Sequence, residues 1–174
     1  MMSGPVERET HFQGLKRRHG SMFAWHGSGA GNWHVILRTS LKNMSNTELM
    51  SAGAAYGNGI YFASDMTVSL GYCHQRQYES TTGYWPKSMF GKQPLTCLAA
   101  CEIVANLDEF TYHPGKPGAR SGGAIFVVPR EDFVTTRFLI VNPKIEGGGG
   151  GGSRGTCQAL VDEAIDKGKL AFLL

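Results

Sequence analysis

"FAWHGSGAGNWHVIL" (23–37) sets a glycine-studded turn between a short apolar run and what reads as the start of a helix. Three familiar chemistries fail on it. The dinucleotide pattern GxGxxG ends on Asn32 when read from Gly27 and on His34 when read from Gly29, so neither frame closes. A phosphate-cradling loop needs Gly-Lys before Ser or Thr at the helix start, and none stands here. A nucleophile elbow needs GxSxG, and Gly27-Ser28-Gly29 lacks the intervening residue. What is left is "WHGS" at a strand end, with Asn32 expected to cap a helix that carries Trp33, Ile36 and Leu37 on one face.

On either side of this turn, "SMFAW" (21–25) and "GIYFA" (59–63) read as strands. Ser64 or Asp65 is then expected to cap a helix running to about Tyr78. "LTCLAACEIV" (95–104) is too continuously apolar for a surface strand and reads as a buried one; "AIFVV" (124–128) and "RFLIV" (137–141) follow. Strands rather than long helices carry the apolar content, which predicts an α+β fold with mostly antiparallel pairing. The run Gly147–Gly152 with Ser153 reads as a flexible linker. Beyond it, Ala159, Leu160, Ala164 and Ile165 have helical spacing, and a short helical tail loosely joined to the rest is expected. The expected organisation is a lead-in (1–20), a main folded domain (21–146), the linker (147–153) and the tail (154–174).

At 174 residues, 41% hydrophobic and 18% charged, the chain has material for one core. A net charge of +3 and the single basic cluster "KRRH" (16–19) give little support for a nucleic-acid partner. Cys73, Cys97, Cys101 and Cys157 show neither CxxC pairs nor zinc spacing, so buried free thiols in a reducing compartment are expected, without a metal. No apolar run reaches membrane-span length and the polar N-terminus carries no secretory signal, which predicts a soluble intracellular protein, cytoplasmic or nuclear.

"WHGS" followed some 28 residues later by "YGNGIYFASDMTVSLGYCH" (56–74) is the decisive pairing. It resembles the catalytic domain of the diphtheria-toxin-like ADP-ribosyltransferases, which include the poly(ADP-ribose) polymerases. Their HG after the first strand, and their GxGIYF with a second Tyr eleven residues after its own, are matched without a gap, and "CLAACEIV" and "FVVPREDFVTTRFLIV" follow in order. The resemblance covers roughly residues 20–143. It implies two mostly antiparallel sheets packed together with short flanking helices and no Rossmann domain, and NAD as co-substrate.

The same resemblance implies the roles. Gly27 would offer its main-chain N–H and C=O to the nicotinamide carboxamide, with a bare Cα for close approach. His26 and Ser28 would hydrogen-bond the adenosine ribose, and residues 42–56 would cover the adenine side. Tyr61 and Tyr72 would sandwich the nicotinamide ring, and Ser69 would donate to the carboxamide oxygen. His34, His74 and His113 receive no catalytic assignment.

Polymer-forming members also carry a glutamate on a late strand. Counting back from "RFLIV" without a gap puts Ile125 there, and a shift of one gives Ala124 or Phe126. The nearest acids, Glu131 and Asp132, lie past Pro129, so the triad reads His26, Tyr61, Ile125. Without that carboxylate, and with a short 105–123 segment, the resemblance implies transfer of single ADP-ribose units to an acceptor protein. A protein carboxylate acting as its own nucleophile would suit; a nucleic-acid phosphate is the weaker alternative. With some twenty residues before the first strand, the autoinhibitory helical domain of DNA-damage-responsive members is not expected here. An inactive NAD- or ADP-ribose-binding module and a purely structural domain are the competing classes.

Overall fold

The computed structural model describes residues 6–48, 55–73, 87, 89, 95–114, 123–142, 157 and 161–163. The first element is a helix, α1 (Val6–His19), inside the segment expected to be a mere lead-in. Its sequence hides it, since Phe12 and Leu15 are its buried residues and nearly everything else on it is polar. There follow β1 (Ser21–Gly27), a 3₁₀ turn (Ala30–Asn32), α2 (Trp33–Thr39), β2 (Ile60–Ala63) and α3 (Met66–Leu70). The chain continues through β3 (Cys97–Val104), β4 (Thr111–His113), β5 (Ile125–Val128) and β6 (Val134–Val141). All five expected strands form, and the predicted α+β class with antiparallel pairing holds.

The six strands make one sheet in the order β4-β5-β2-β1-β3-β6, every pair antiparallel. The expected two sheets are thus joined, but barely. β1 runs seven register pairs along β3, from Ser21↔Val104 to Gly27↔Leu98, whereas its ladder with β2 has the single pair Trp25↔Ala63. Two halves, β4-β5-β2 and β1-β3-β6, therefore meet at one rung. The strands part on the Gly27 side of it.

Side-chain alternation sorts the core onto the two faces. On one, Phe12, Leu15 and Trp33 from α1 and α2 pack with Ala24, Phe62, Ala99, Cys101 and Ile103. On the other, Trp25, Leu98 and Ala100 pack with Met66 and Leu70 of α3, and with Cys157 and Val161. The tail is thus not loose where it is described: Cys157 is fully buried, and its N–H donates to the Ser64 carbonyl at 3.0 Å. The spacing residues Ala159, Leu160, Ala164 and Ile165, and the glycine run, lie outside the described residues.

All four cysteines are free and buried, as expected. Burial pushes the Cys73 and Cys97 thiols up to about 11 and Cys101 to about 12, so none of the three is a thiolate at neutral pH.

The caps divide. Asn32 occupies the position before α2, yet its side chain does not accept from the helix; helical backbone at φ −75°, ψ −24° turns it away, and its amide donates to Ser28 Oγ at 3.0 Å. Asp65 does cap α3, accepting from both Thr67 N–H and Thr67 Oγ1 at 2.8 Å. α3 is five residues long, and the segment from 74 to the expected end at Tyr78 lies outside the described residues. Loss of an N-cap oxygen costs about 1 kcal/mol. Asp65→Ala is therefore expected to lower Tm by roughly 2–4 °C, read by thermal unfolding.

Candidate functional site

Three of the expected site residues, His26, Gly27 and Tyr61, stand where β1 and β2 separate. Continued, the register would set Gly27 opposite Tyr61; instead the ladder stops and the His26 side chain takes over a hydrogen bond. Its Nδ1 donates to the Tyr61 carbonyl at 2.9 Å. A carbonyl only accepts, so Nδ1 carries the proton. Burial pushes the His26 pKa below its ordinary 6.5, and the Tyr61 bond only partly offsets this. The ring is neutral at pH 7, leaving Nε2 as a fixed lone pair. Phe62, 5.5 Å between centroids, and Trp33, 6.1 Å and edge-on, hold the imidazole in place. Trp33 is itself anchored by its indole N–H donating to the Ser28 carbonyl at 3.0 Å.

Gly27 has a reason to be glycine inside the protein. A Cβ there would overlap the Ser69 main-chain carbonyl. Backbone alternation turns the Gly27 N–H and C=O the same lateral way as those of Trp25. The Trp25 carbonyl accepts from Ser69 Oγ at 2.9 Å. Ser69 is only 4% exposed and its hydroxyl proton goes to Trp25, because α3 packs directly onto β1.

Tyr61 is held at its tip. Its hydroxyl donates to the Gly57 carbonyl at 2.7 Å and accepts from Tyr56 N–H at 3.1 Å, fastening the turn ahead of β2. Gly59, at φ +156°, lets that turn lie against the Val128 main chain, where a side chain would not fit. Tyr72 follows α3 and is exposed; its N–H donates to the Ser69 carbonyl at 3.1 Å. Ser28 sits at the mouth of the split, its Oγ accepting from Asn32.

Ile125 pairs with Ala63 on one side and His113 on the other. One row, Trp25–Ala63–Ile125–His113, therefore crosses four strands on the face that also carries Tyr61. Ile125 is a diagonal neighbour of Tyr61, while His26 reaches Tyr61 through the backbone. Glu131 and Asp132 lie beyond the opposite end of β5. Glu131 holds Lys42 at 2.7 Å, and Asp132, bound to Arg130 and His11, has its pKa pulled to about 2. The place of His113 opposite Ile125 was invisible in the sequence, because a three-residue strand shows too little alternation to reveal its partner.

Among the described residues no group of three or more His, Cys, Asp or Glu could hold a metal ion. Nor is any helix among them long and apolar enough to cross a membrane.

Residues 5–113 match the family described as "Poly(ADP-ribose) polymerase catalytic domain". The chain belongs to that family. Its relatives include the protein mono-ADP-ribosyltransferase PARP8 of Mus musculus and of Homo sapiens, each 32% identical over 160 residues covering 81% of this chain. The mouse protein mono-ADP-ribosyltransferase PARP16 is 30% identical over 149 residues, 76% of this chain. The chain spans 18% of the length of either PARP8 relative and 42% of PARP16.

Proposed function

We propose that the chain is the catalytic part of an NAD-dependent mono-ADP-ribosyltransferase that releases nicotinamide and attaches one ADP-ribose to a protein side chain. The observation that carries this is the split between β1 and β2, with a neutral His26 bridging it, the bare Gly27 backbone on one lip and Tyr61 on the other. His26 Nε2 accepts from an adenosine-ribose hydroxyl, which Ser28 also contacts. Gly27 N–H and C=O read the carboxamide, and the Tyr61 and Tyr72 rings take the pyridine between them, each aromatic contact adding about 0.5–1.5 kcal/mol. Ser69 acts by holding α3 against β1, which fixes the spacing between Gly27 and Tyr72.

When the glycosidic bond breaks, nicotinamide departs with the bonding pair and positive charge builds on the ribose. Ile125, the third member of the triad, cannot stabilise it, and the loss of one such electrostatic group costs on the order of 10²–10³ in rate. Orientation of the bound dinucleotide supplies the rest. Elongation needs an activated ribose hydroxyl, which this triad does not provide, so transfer ends at one unit. Nucleic acid is the less supported acceptor.

The same Ile125, with the Ser69 proton held by Trp25, favours a second reading, a catalytically inactive NAD-binding module. Incubation with labelled NAD separates the two. Covalent label with stoichiometric nicotinamide release is the expected result. His26→Ala should cut labelling at least about tenfold, since it removes a ribose contact and leaves a buried carbonyl unpaired at about 1–3 kcal/mol. A melting-temperature shift with NAD and no label would establish the binding module instead.

A further inference from the structure

Where the polymer-forming relatives of the resemblance carry a carboxylate, this chain has an alkyl group, yet the neighbouring strand brings chemistry to the same spot. His113 stands directly opposite Ile125 in the β4–β5 pair. Opposed residues on antiparallel strands keep their Cβ atoms about 4.5–5.5 Å apart and point to the same face. His113 therefore shares the face of Ile125 and Tyr61.

Its ring has an unused valence. Nε2 is buried and has no hydrogen-bond partner among the described residues. Native folds rarely leave such an atom unpaired, at about 1–3 kcal/mol, and the exceptions concentrate where a group is kept for function. The ring of Tyr56 lies against the imidazole, centroids 4.3 Å apart, while the Tyr56 N–H donates to the Tyr61 hydroxyl. One turn thus ties His113 to the tyrosine proposed to stack on nicotinamide. Tyr56 is 43% exposed, so its ring has solvent to swing into when a ligand approaches Nε2. The acid at this end, Asp65 just beyond Ala63, is engaged with Thr67.

We propose that His113 is the base that receives the acceptor's proton, and that the acceptor is a protein side-chain hydroxyl. This rests on the NAD-dependent transfer proposed above. The bond from the ribose anomeric carbon to the nicotinamide nitrogen breaks, its electron pair leaving with neutral nicotinamide. The hydroxyl oxygen bonds to that carbon, and its proton passes to His113 Nε2, which later returns it to water. No oxidant or further reactant enters. A carboxylate acceptor has no proton to lose and would leave His113 without a task.

The test compares wild type, His113→Gln, His113→Asn and His113→Ala for NAD KM, labelling rate and modified residue by mass spectrometry. A positioned base is worth 10²–10⁴-fold. The variants should therefore label at least about 100-fold more slowly with the NAD KM unchanged, and added imidazole should restore part of the rate to His113→Ala. The label on wild-type reactions should map to serine, threonine or tyrosine. Undiminished labelling by His113→Gln, a rise in KM in place of a fall in rate, absence of imidazole rescue, or label on aspartate or glutamate would each overturn it. Wild-type protein that neither binds NAD nor becomes labelled removes the transferase reading as well, a failure distinct from these.

Discussion

Gly27→Ala is expected to abolish NAD-dependent labelling and to lower Tm together. The added methyl has nowhere to go. It overlaps the carbonyl of Ser69, which is main chain rather than the end of a flexible side chain, and Cys73 closes in from beside it. That carbonyl accepts from Tyr72 N–H, and the Ser69 hydroxyl is bonded to Trp25, so relief requires all of α3 to move off β1. Overpacking of this kind costs about 1–3 kcal/mol or more, equivalent to a Tm fall of roughly 2–12 °C in a chain of this size. Function suffers further. Tyr72 travels with α3, and a displacement of about 1 Å at a positioning group costs on the order of 10²-fold in rate. Differential scanning fluorimetry with and without NAD, run beside the labelling assay, reads both effects. Wild-type labelling by Gly27→Ala would mean that α3 is not what sets the width of the site.

The second large effect belongs to Glu102, far from the split. Its carboxylate is 2% exposed and receives Ser21 Oγ at 2.6 Å, Lys16 Nζ at 2.6 Å and Arg137 Nε at 2.8 Å. Arg137 also grips Glu9 through two bonds of 2.9 and 3.0 Å and lies over the Phe12 ring. This network, together with the burial of Phe12 and Leu15, clamps α1 to β3 and β6. Glu102→Ala deletes these charge-assisted bonds while Arg137 keeps Glu9 and Lys16 keeps solvent, a loss of about 1.5–3 kcal/mol. It should therefore lower Tm by roughly 3–12 °C, while labelling well below the new Tm stays within about twofold of wild type.

The pH dependence has a definite sign. Burial raises the Glu102 pKa, but the bonds from Lys16, Ser21 and Arg137 outweigh it and hold the carboxyl below its ordinary value. A group whose folded pKa is depressed stabilises the fold above its unfolded pKa, about 4.3, and loses that contribution as pH falls through the folded value. The Tm gap between wild type and Glu102→Ala should accordingly be full at pH 7 and close as pH drops below about 4.

Much of the architecture was legible because apolar strands announce themselves. "GIYFA" and "LTCLAACEIV" could be little else, and the HG and GIYF stretches fall on two strands that pair with each other. What stayed hidden was set by long-range contacts. α1 shows only Phe12 and Leu15 to the core and takes the rest of its hold from Glu9, Lys16 and their partners more than eighty residues away. Asn32 has the right identity for a cap but the wrong backbone angles. Ser69 reads as a free hydroxyl until Trp25 is placed beside it. His113 gains meaning only from the register of β4 on β5, and Cys157 only from the pocket formed by Trp25, Cys73 and Leu98.

The lone rung at Trp25↔Ala63 has a consequence for how such a cleft can diversify. Each half keeps its own ladder, so neither relies on the seam for its hydrogen bonds. What spans the gap is a side chain, His26 of β1 reaching the Tyr61 carbonyl of β2. Exchanging it would leave the bonds within each ladder intact, so the seam can change its character while both scaffolds persist.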